Sequence, residues 1–77
     1  MITLQEFIEL AIDNFYKINI WYNEEQKELL NQVELGEIEE ELEKIGKEEL
    51  LYHNIGSWDI QEYVNGKLVN EFTLNID

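Results

Sequence analysis

The chain has 77 residues, the size of one small domain, and it contains no cysteine. Eighteen acidic residues against five lysines and no arginine give a formal net charge of −13. This composition excludes a disulfide framework, a cysteine nucleophile and a cysteine-based zinc site, and the charge repels nucleic acid and anionic membranes. The apolar share of 44% is ordinary for a globular protein, so we expect a folded chain.

The sequence shows no segment that directs it to or across a membrane. No apolar run approaches the roughly 18 residues that a membrane-spanning helix needs. The first residues lack the basic start and the apolar stretch of a signal peptide. We therefore expect a cytoplasmic protein, in whichever cell makes or receives it.

The first predicted element is a helix that begins after Thr3. Thr3 followed by Glu6 forms a capping-box pattern, in which each side chain bonds the backbone N–H of the other residue. Apolar residues then recur at helical spacing and predict one stripe that faces the core. The residues of that stripe are Leu4, Phe7, Ile8, Ala11, Ile12 and Phe15.

Alternating side chains over Tyr16–Tyr22 predict a first strand, with Trp21 on the outer face unless a helix or a partner covers it. Asn23–Gln26 predicts a four-residue hairpin loop, and a second strand follows from Lys27 to Leu35. The pairs that this loop predicts are Ile20 with Leu29 and Tyr16 with Val33.

A second helix is predicted after Gly36, which breaks the strand. Gly46 suits the left-handed position just past the end of that helix, and Lys47–Tyr52 predicts a further short helical segment. The core side of the second helix is predicted to hold Ile38, Leu42 and Ile45, and its outer side Glu37, Glu39, Glu40, Glu43 and Lys44.

The last predicted element is a hairpin with two conflicting signals. Asn65-Gly66 favours a two-residue type I′ turn, whereas the apolar pattern favours a three-residue loop that also includes Val64. Because a slip of one residue reverses every side chain to the other face, we expect the apolar pattern to prevail. The three-residue loop pairs Trp58 with Phe72 and Ile60 with Asn70, and it places Leu68, Phe72, Leu74 and Ile76 on the face of Trp58. Trp58 is thus expected in the core.

The order α-β-β-α-(α)-β-β predicts the fold class. We expect a single α+β domain over residues 1–77, with a four-stranded antiparallel sheet built from two β-hairpins and two to three helices packed on it.

Little in the sequence indicates catalysis or metal binding. His53 is the only histidine and Ser57 the only serine, and neither has a recognisable catalytic partner in the sequence. The acids do not follow the calcium-loop pattern. We expect no enzymatic activity, no cofactor and no metal.

The acidic stretch Glu34–Glu49 contains eight glutamates and two lysines. Carboxylates three or four residues apart on a helix lie about 5–6 Å apart at Cβ, comparable to the spacing of successive phosphates along a nucleic-acid strand. We expect this charge, with Trp21 as an apolar anchor, to bind a basic groove; the alternative is a solvated helix face that serves solubility. The expected binding residues are Glu37, Glu39, Glu40, Glu43 and Trp21.

The sequence resembles a broad group of small acidic proteins encoded by phages and mobile elements of low-GC bacteria. The similar segments are Leu4–Ile8, Ile18–Tyr22, Glu49–Leu51, Ile55–Ile60, Gly66–Leu68 and Leu74–Ile76. Some similar proteins are anti-CRISPR or anti-restriction inhibitors that occupy the DNA- or RNA-binding groove of a nuclease. The resemblance implies the same kind of function here and assigns no individual residue.

Two functional hypotheses follow. The leading one is an inhibitor of a host defence nuclease that binds the nuclease, or its complex with guide RNA, as an acidic mimic of nucleic acid and does not itself bind nucleic acid. The alternative is a non-catalytic structural or accessory phage-type protein that forms a homodimer.

Overall fold

The computed structural model describes residues 1–11 and 17–77, without the side chains of residues 61–64 and 67–71. Ile12, Phe15 and Tyr16, which complete the predicted stripe and strand, lie outside the described residues. Within the described part, the α+β class and the predicted order of elements are confirmed. The elements are α1 (Leu4–Ala11), β1 (Lys17–Tyr22), β2 (Lys27–Glu34), a 3₁₀ turn (Leu35–Glu37), α2 (Ile38–Lys44), a 3₁₀ segment (Glu48–Tyr52), β3 (Ile55–Val64) and β4 (Lys67–Ile76).

The start of α1 confirms the predicted capping box. The backbone N–H of Thr3 donates to Oε1 of Glu6 at 3.0 Å, and the backbone N–H of Glu6 donates to Oγ1 of Thr3 at 3.2 Å. The hydrogen bond from the Thr3 backbone is the main reason that the pKa of Glu6 lies below its usual value. These two bonds satisfy N–H groups that a helix start otherwise leaves without a partner.

The sheet is mixed, with strand order β2-β1-β4-β3. Both hairpins are antiparallel, but the two central strands β1 and β4 run parallel, with Ile18 beside Phe72 and Ile20 beside Leu74. The expectation of a purely antiparallel sheet is therefore wrong. The physical reason is the connection from β2 to β3, which crosses the sheet through α2 and makes the two outer strands run the same way.

One face of the sheet carries the core. The helical segments pack there and bury their apolar side chains against alternate residues of β1 and β4. The fully buried side chains are Leu4, Ile18, Ile20, Ile38, Leu42, Leu50, Leu74 and Ile76. The opposite face is free of the described helices.

In the first hairpin, the predicted loop is confirmed and the predicted pairing of the strands is wrong. The turn spans 23–26 as predicted. Two irregularities in the ladder then pair Ile20 with Leu30 instead of Leu29, and Val33 with Ile18. Gln32 takes a left-handed backbone, with φ of +52°, at this distortion. These irregularities direct the side chain of Leu30 into the core, where it is buried. The burial of Leu30 therefore prevails over the strand pairing that the loop length alone predicts.

The turn of the second hairpin follows the Asn65-Gly66 signal. Both residues have positive φ, +54° and +76°, and Val64 lies opposite Lys67. This is the geometry of a two-residue type I′ turn, so the expected three-residue loop is wrong.

The apolar pattern of this hairpin is satisfied further along the strands. A register shift between Gln61 and Tyr63 sets Ile60 opposite Phe72 and Trp58 opposite Leu74. The predicted partners of Trp58 and Ile60 are therefore wrong, while their sharing of a face with Phe72 and Leu74 is confirmed. A bulge after the turn therefore allows both the two-residue Asn65-Gly66 turn and the shared apolar face of the two strands.

Trp58 does not lie in the core as expected. It is 63% exposed, and Ile60 is 57% exposed. Both lie on β3, an outer strand that pairs only with β4 among the described strands. The hydrophobic pattern correctly predicted the face of the sheet on which Trp58 and Ile60 lie, but it did not predict that both side chains are exposed there.

Candidate functional site

The candidate site is a set of glutamates on and just before α2, which we call the acidic helix face (Glu37, Glu39, Glu40 and Glu43). Ile38 and Leu42, one turn apart, are fully buried and fix α2 against the sheet. All four glutamates are exposed to solvent. The burial of one side of α2 therefore turns these carboxylates outward, as the sequence predicts.

The end of α2 is fixed by backbone geometry. Gly46 takes the predicted left-handed conformation, with φ of +73°. The N–H of Gly46 donates to the carbonyl of Glu43, and the N–H of Lys47 donates to the carbonyl of Leu42 at 2.8 Å. This Schellman arrangement stops the helix after Lys44. Ile45, expected on the core side, falls at this stop and is 45% exposed.

Lysines neutralise only part of the acidic helix face. Nζ of Lys44 lies 3.1 Å from Glu41 and 3.9 Å from Glu40. The hydrogen bond to Glu41, followed by the charges of Glu41 and Glu40, raises the pKa of Lys44. Among the side chains that the structure describes, the ion pairs do not include Glu37, Glu39 or Glu43. Glu39 and Glu43, one turn apart on α2, are thus two neighbouring carboxylates whose negative charge is not paired with a lysine in the described ion pairs.

A second ion pair holds the region after α2 against the first hairpin. Nζ of Lys47 donates to Glu25 at 2.6 Å, and Lys27 also lies 3.4 Å from Glu25. The hydrogen bond between Lys47 and Glu25 raises the pKa of Lys47 and lowers the pKa of Glu25. This contact joins the loop of the first hairpin to Lys47, three residues after the end of α2, so it helps to fix the direction of the acidic helix face.

Trp21 lies on the other side of the sheet. Its neighbours Ile20 and Tyr22 are buried in the core, so Trp21 points to the helix-free face, where it is half-buried. The residues beside it in the ladder are Glu28 on β2 and Asn75 on β4. The sheet therefore separates Trp21 from the acidic helix face, and a flat partner surface does not contact both.

The helix-free face around Trp21 is polar and internally bonded. The amide of Asn75 donates to Ser57 at 2.9 Å and to Asp59 at 3.1 Å. Asn19, only 4% exposed, accepts hydrogen bonds from the backbone and side chain of Gln32 and donates to Thr73. Ser57 and Asp59 thus serve as partners of an amide on this face.

The remaining polar side chains that the structure describes do not form a recognisable catalytic or metal-binding arrangement. Nδ1 of His53 lies 2.6 Å from the backbone oxygen of Asp77, and His53 caps the C-terminal end of the 3₁₀ segment. In residues 1–11, 17–60, 65–66 and 72–77, three or more potential metal ligands do not come together, and every buried side-chain polar atom has a hydrogen-bond partner.

Sequence reasoning missed an apolar surface on the helix side of β3. Trp58 and Ile60 are its exposed members, and a cavity of about 510 Å³ lies next to Trp58, between β3 and the N-terminal residues. The alternation of β3 places these side chains on one face, but sequence does not show that β3 is an outer strand.

Comparison with models of protein families, with characterised proteins and with solved structures finds no match to this chain. Within the described residues, no helix has the length and apolar character needed to cross a membrane.

Proposed function

We propose that this chain is a non-catalytic inhibitor that binds the basic nucleic-acid groove of a host defence nuclease as an acidic mimic of nucleic acid. The observation that carries the proposal is the acidic helix face, whose carboxylates are exposed and mostly without a lysine partner in a chain of net charge −13. The resemblance to small acidic phage proteins supports a nuclease, or its complex with guide RNA, as the target. The site of action is then the bacterial cytoplasm.

The mechanism is occupation of the groove by fixed negative charge. Glu39 and Glu43 follow one side of α2, so their carboxylates form a row that Lys and Arg side chains of a phosphate-binding groove can pair with. The buried contacts of Ile38 and Leu42 hold that row on a folded scaffold, which lowers the entropy cost of binding. The excess charge of the whole chain also increases the rate of encounter with a basic surface.

Trp21 contacts the same partner as the acidic helix face only if that partner extends to both faces of the sheet. Because it lies on the helix-free face, an anchor role for Trp21 requires a partner that extends past β2 to that face. Replacement of Trp21 by alanine is therefore expected to weaken binding less than charge reversal on α2.

The test is capture of a partner from a bacterial lysate that has been freed of nucleic acid. The immobilised chain is washed with rising salt and then with duplex DNA or RNA. We expect one nucleic-acid-binding protein to be retained and then displaced by nucleic acid. If no protein is retained, or if the retained protein still binds its nucleic acid when saturated with this chain, the proposal is wrong.

Charge reversal on α2 locates the binding surface. The double variant Glu39→Lys, Glu43→Lys is expected to bind the captured protein about tenfold or more weakly, with a flatter salt dependence, because close interfacial charge pairs carry this much energy. The matched control reverses Glu9 and Glu28, two exposed acids away from α2, and gives the same net charge. Equal loss in both variants would show that only total charge matters.

The second candidate function is a structural or accessory protein that forms a homodimer. The exposed apolar pair Trp58 and Ile60 is the observation that favours it, because such surfaces on small proteins often mark contacts. A molecular mass in solution that rises to that of a dimer with concentration would support this function.

A further inference from the structure

The side of β3 that faces away from β4 forms an outer edge of the sheet among the described strands. β3 is an outer strand of the sheet and pairs only with β4 among the described strands. Its start is already covered by the N-terminal residues: Thr3 bridges Asn54 in antiparallel fashion, and the N–H of Ile55 donates to the carbonyl of Ile2 at 2.9 Å. This side of β3 therefore accepts an extended chain at 54–55.

An apolar groove begins at the start of β3, beside the N-terminal residues, and continues past Trp58 to Ile60. Trp58 pairs with buried Leu74 and Ile60 with Phe72, so both exposed side chains point to the helix side of the sheet. The cavity of about 510 Å³ next to Trp58 is lined by Ile2, Phe7, Ile55, Trp58, Phe72 and Leu74. Phe7 and Phe72 stack at 6.2 Å and form one wall. A strand added to β3 would place every second side chain along this groove.

The charge of this surface decides which occupant fits. The sequence of β3 holds two acids, Asp59 and Glu62, and no basic residue. A second copy of the chain would bring −13 against −13 and would set acidic strands against each other, which is destabilising. An extended segment with lysine or arginine at alternate positions has the complementary charge.

We propose that β3 binds an extended basic segment of the partner protein by strand addition. Apolar side chains of that segment lie against Trp58 and Ile60, and its basic side chains lie on the other face, near Asp59. Backbone hydrogen bonds to β3 provide affinity, and the alternation of side chains provides selectivity. This inference rests on the proposed function, since it assigns to the basic partner a second contact away from the acidic helix face.

The test uses a synthetic peptide of about eight residues, the length of an ordinary strand, in which lysine and valine alternate. The measurements are the peptide affinity and the protection of individual backbone amides from hydrogen exchange. We expect new protection of the alternate amides in residues 57–62 whose N–H groups point away from β4. Peptides that alternate glutamate with valine, or lysine with serine, are expected to leave these amides unprotected, because each lacks one of the two required contacts.

Variants of the chain distinguish the groove from other exposed apolar residues. The double variant Trp58→Thr, Ile60→Thr keeps strand-forming residues and is expected to bind the lysine–valine peptide about tenfold more weakly, as for the loss of an aromatic hot spot. The matched control is Tyr52→Thr, which removes an aromatic ring that is 70% exposed on the 3₁₀ segment, and it is expected to bind as the parent chain does.

Three outcomes overturn the inference. The first is the absence of new amide protection in β3 with the lysine–valine peptide. The second is equal binding of the glutamate–valine peptide. The third is a dimer in solution that Trp58→Thr dissociates, which would make a second copy the occupant.

The peptide assay separates the failure of this inference from that of the proposed function. It needs no nuclease, so a negative result leaves the nucleic-acid displacement test unaffected. Conversely, a lysate that yields no displaceable partner overturns the proposed function, while protection of β3 by the peptide still supports strand addition.

Discussion

Asn19 links three strands through one buried amide. Its side-chain oxygen accepts from the backbone N–H of Gln32 at 2.8 Å, and its amide donates to Thr73 at 3.2 Å. Asn19→Ala leaves these groups without their partner, so we expect a loss of about 1–3 kcal/mol in the free energy of unfolding. Chemical denaturation measures it.

The control for Asn19 is Asn31. The amide of Asn31 donates to Glu28 in a solvent-exposed position, where water replaces the lost partner. We expect Asn31→Ala to change the free energy of unfolding by no more than about 0.5 kcal/mol. A similar loss for both variants would show that burial of the Asn19 amide is not what makes it stabilising.

The hydroxyl of Tyr22 is expected to lose its proton at a higher pH than an ordinary tyrosine. The hydrogen bond from its hydroxyl to Glu24 at 2.6 Å, with burial and nearby carboxylates, raises the pKa of Tyr22 from 10.0 to about 12. The unfolded chain loses this proton first, so the stabilising contribution is complete below pH 10 and is lost as pH rises through about 12.

The difference in ultraviolet absorbance between the parent and Tyr22→Phe isolates this titration. Glu24→Gln is expected to move the midpoint of Tyr22 back toward its ordinary value, because a neutral amide does not disfavour the phenolate as a carboxylate does. An unchanged midpoint in Glu24→Gln would remove Glu24 as the main cause of the raised pKa.

At the scale of the element, α2 depends on two buried side chains. Leu42 is fully buried between α2 and the sheet, so Leu42→Ala is expected to lower the free energy of unfolding by about 2–5 kcal/mol. Ile45→Ala, at the partly exposed end of the same helix, is expected to cost much less. Equal losses by chemical denaturation would contradict the burial that the structure gives to these two positions.

At the scale of the whole molecule, the charge of −13 acts against the folded state. Raising the salt concentration from about 0.01 M to about 0.15 M shortens the screening length from about 30 Å to about 8 Å. Because repulsion between the acids is then screened, we expect the Tm to rise. A Tm that falls over this range would mean that the lysine–glutamate pairs contribute more than the repulsion.

Most of the local structure follows from residues that are close together in the sequence. The capping box at Thr3 and the left-handed Gly46 are local features, so the residues that form them also predict them. The outward direction of the acidic helix face is likewise predictable, because helical spacing sets it relative to Ile38 and Leu42. At the second hairpin, the local Asn65-Gly66 signal was the correct one for the turn.

The choice of neighbouring strands depends on contacts between distant parts of the chain. Asn19 and Thr73, which meet across β1 and β4, are 54 residues apart, and side-chain periodicity does not encode such pairings. This pairing makes β3 an outer strand, exposes Trp58 and leaves Trp21 on the face away from α2. Alternation assigns a side chain to a face of its own strand, whereas coverage of that face depends on segments far away in the chain.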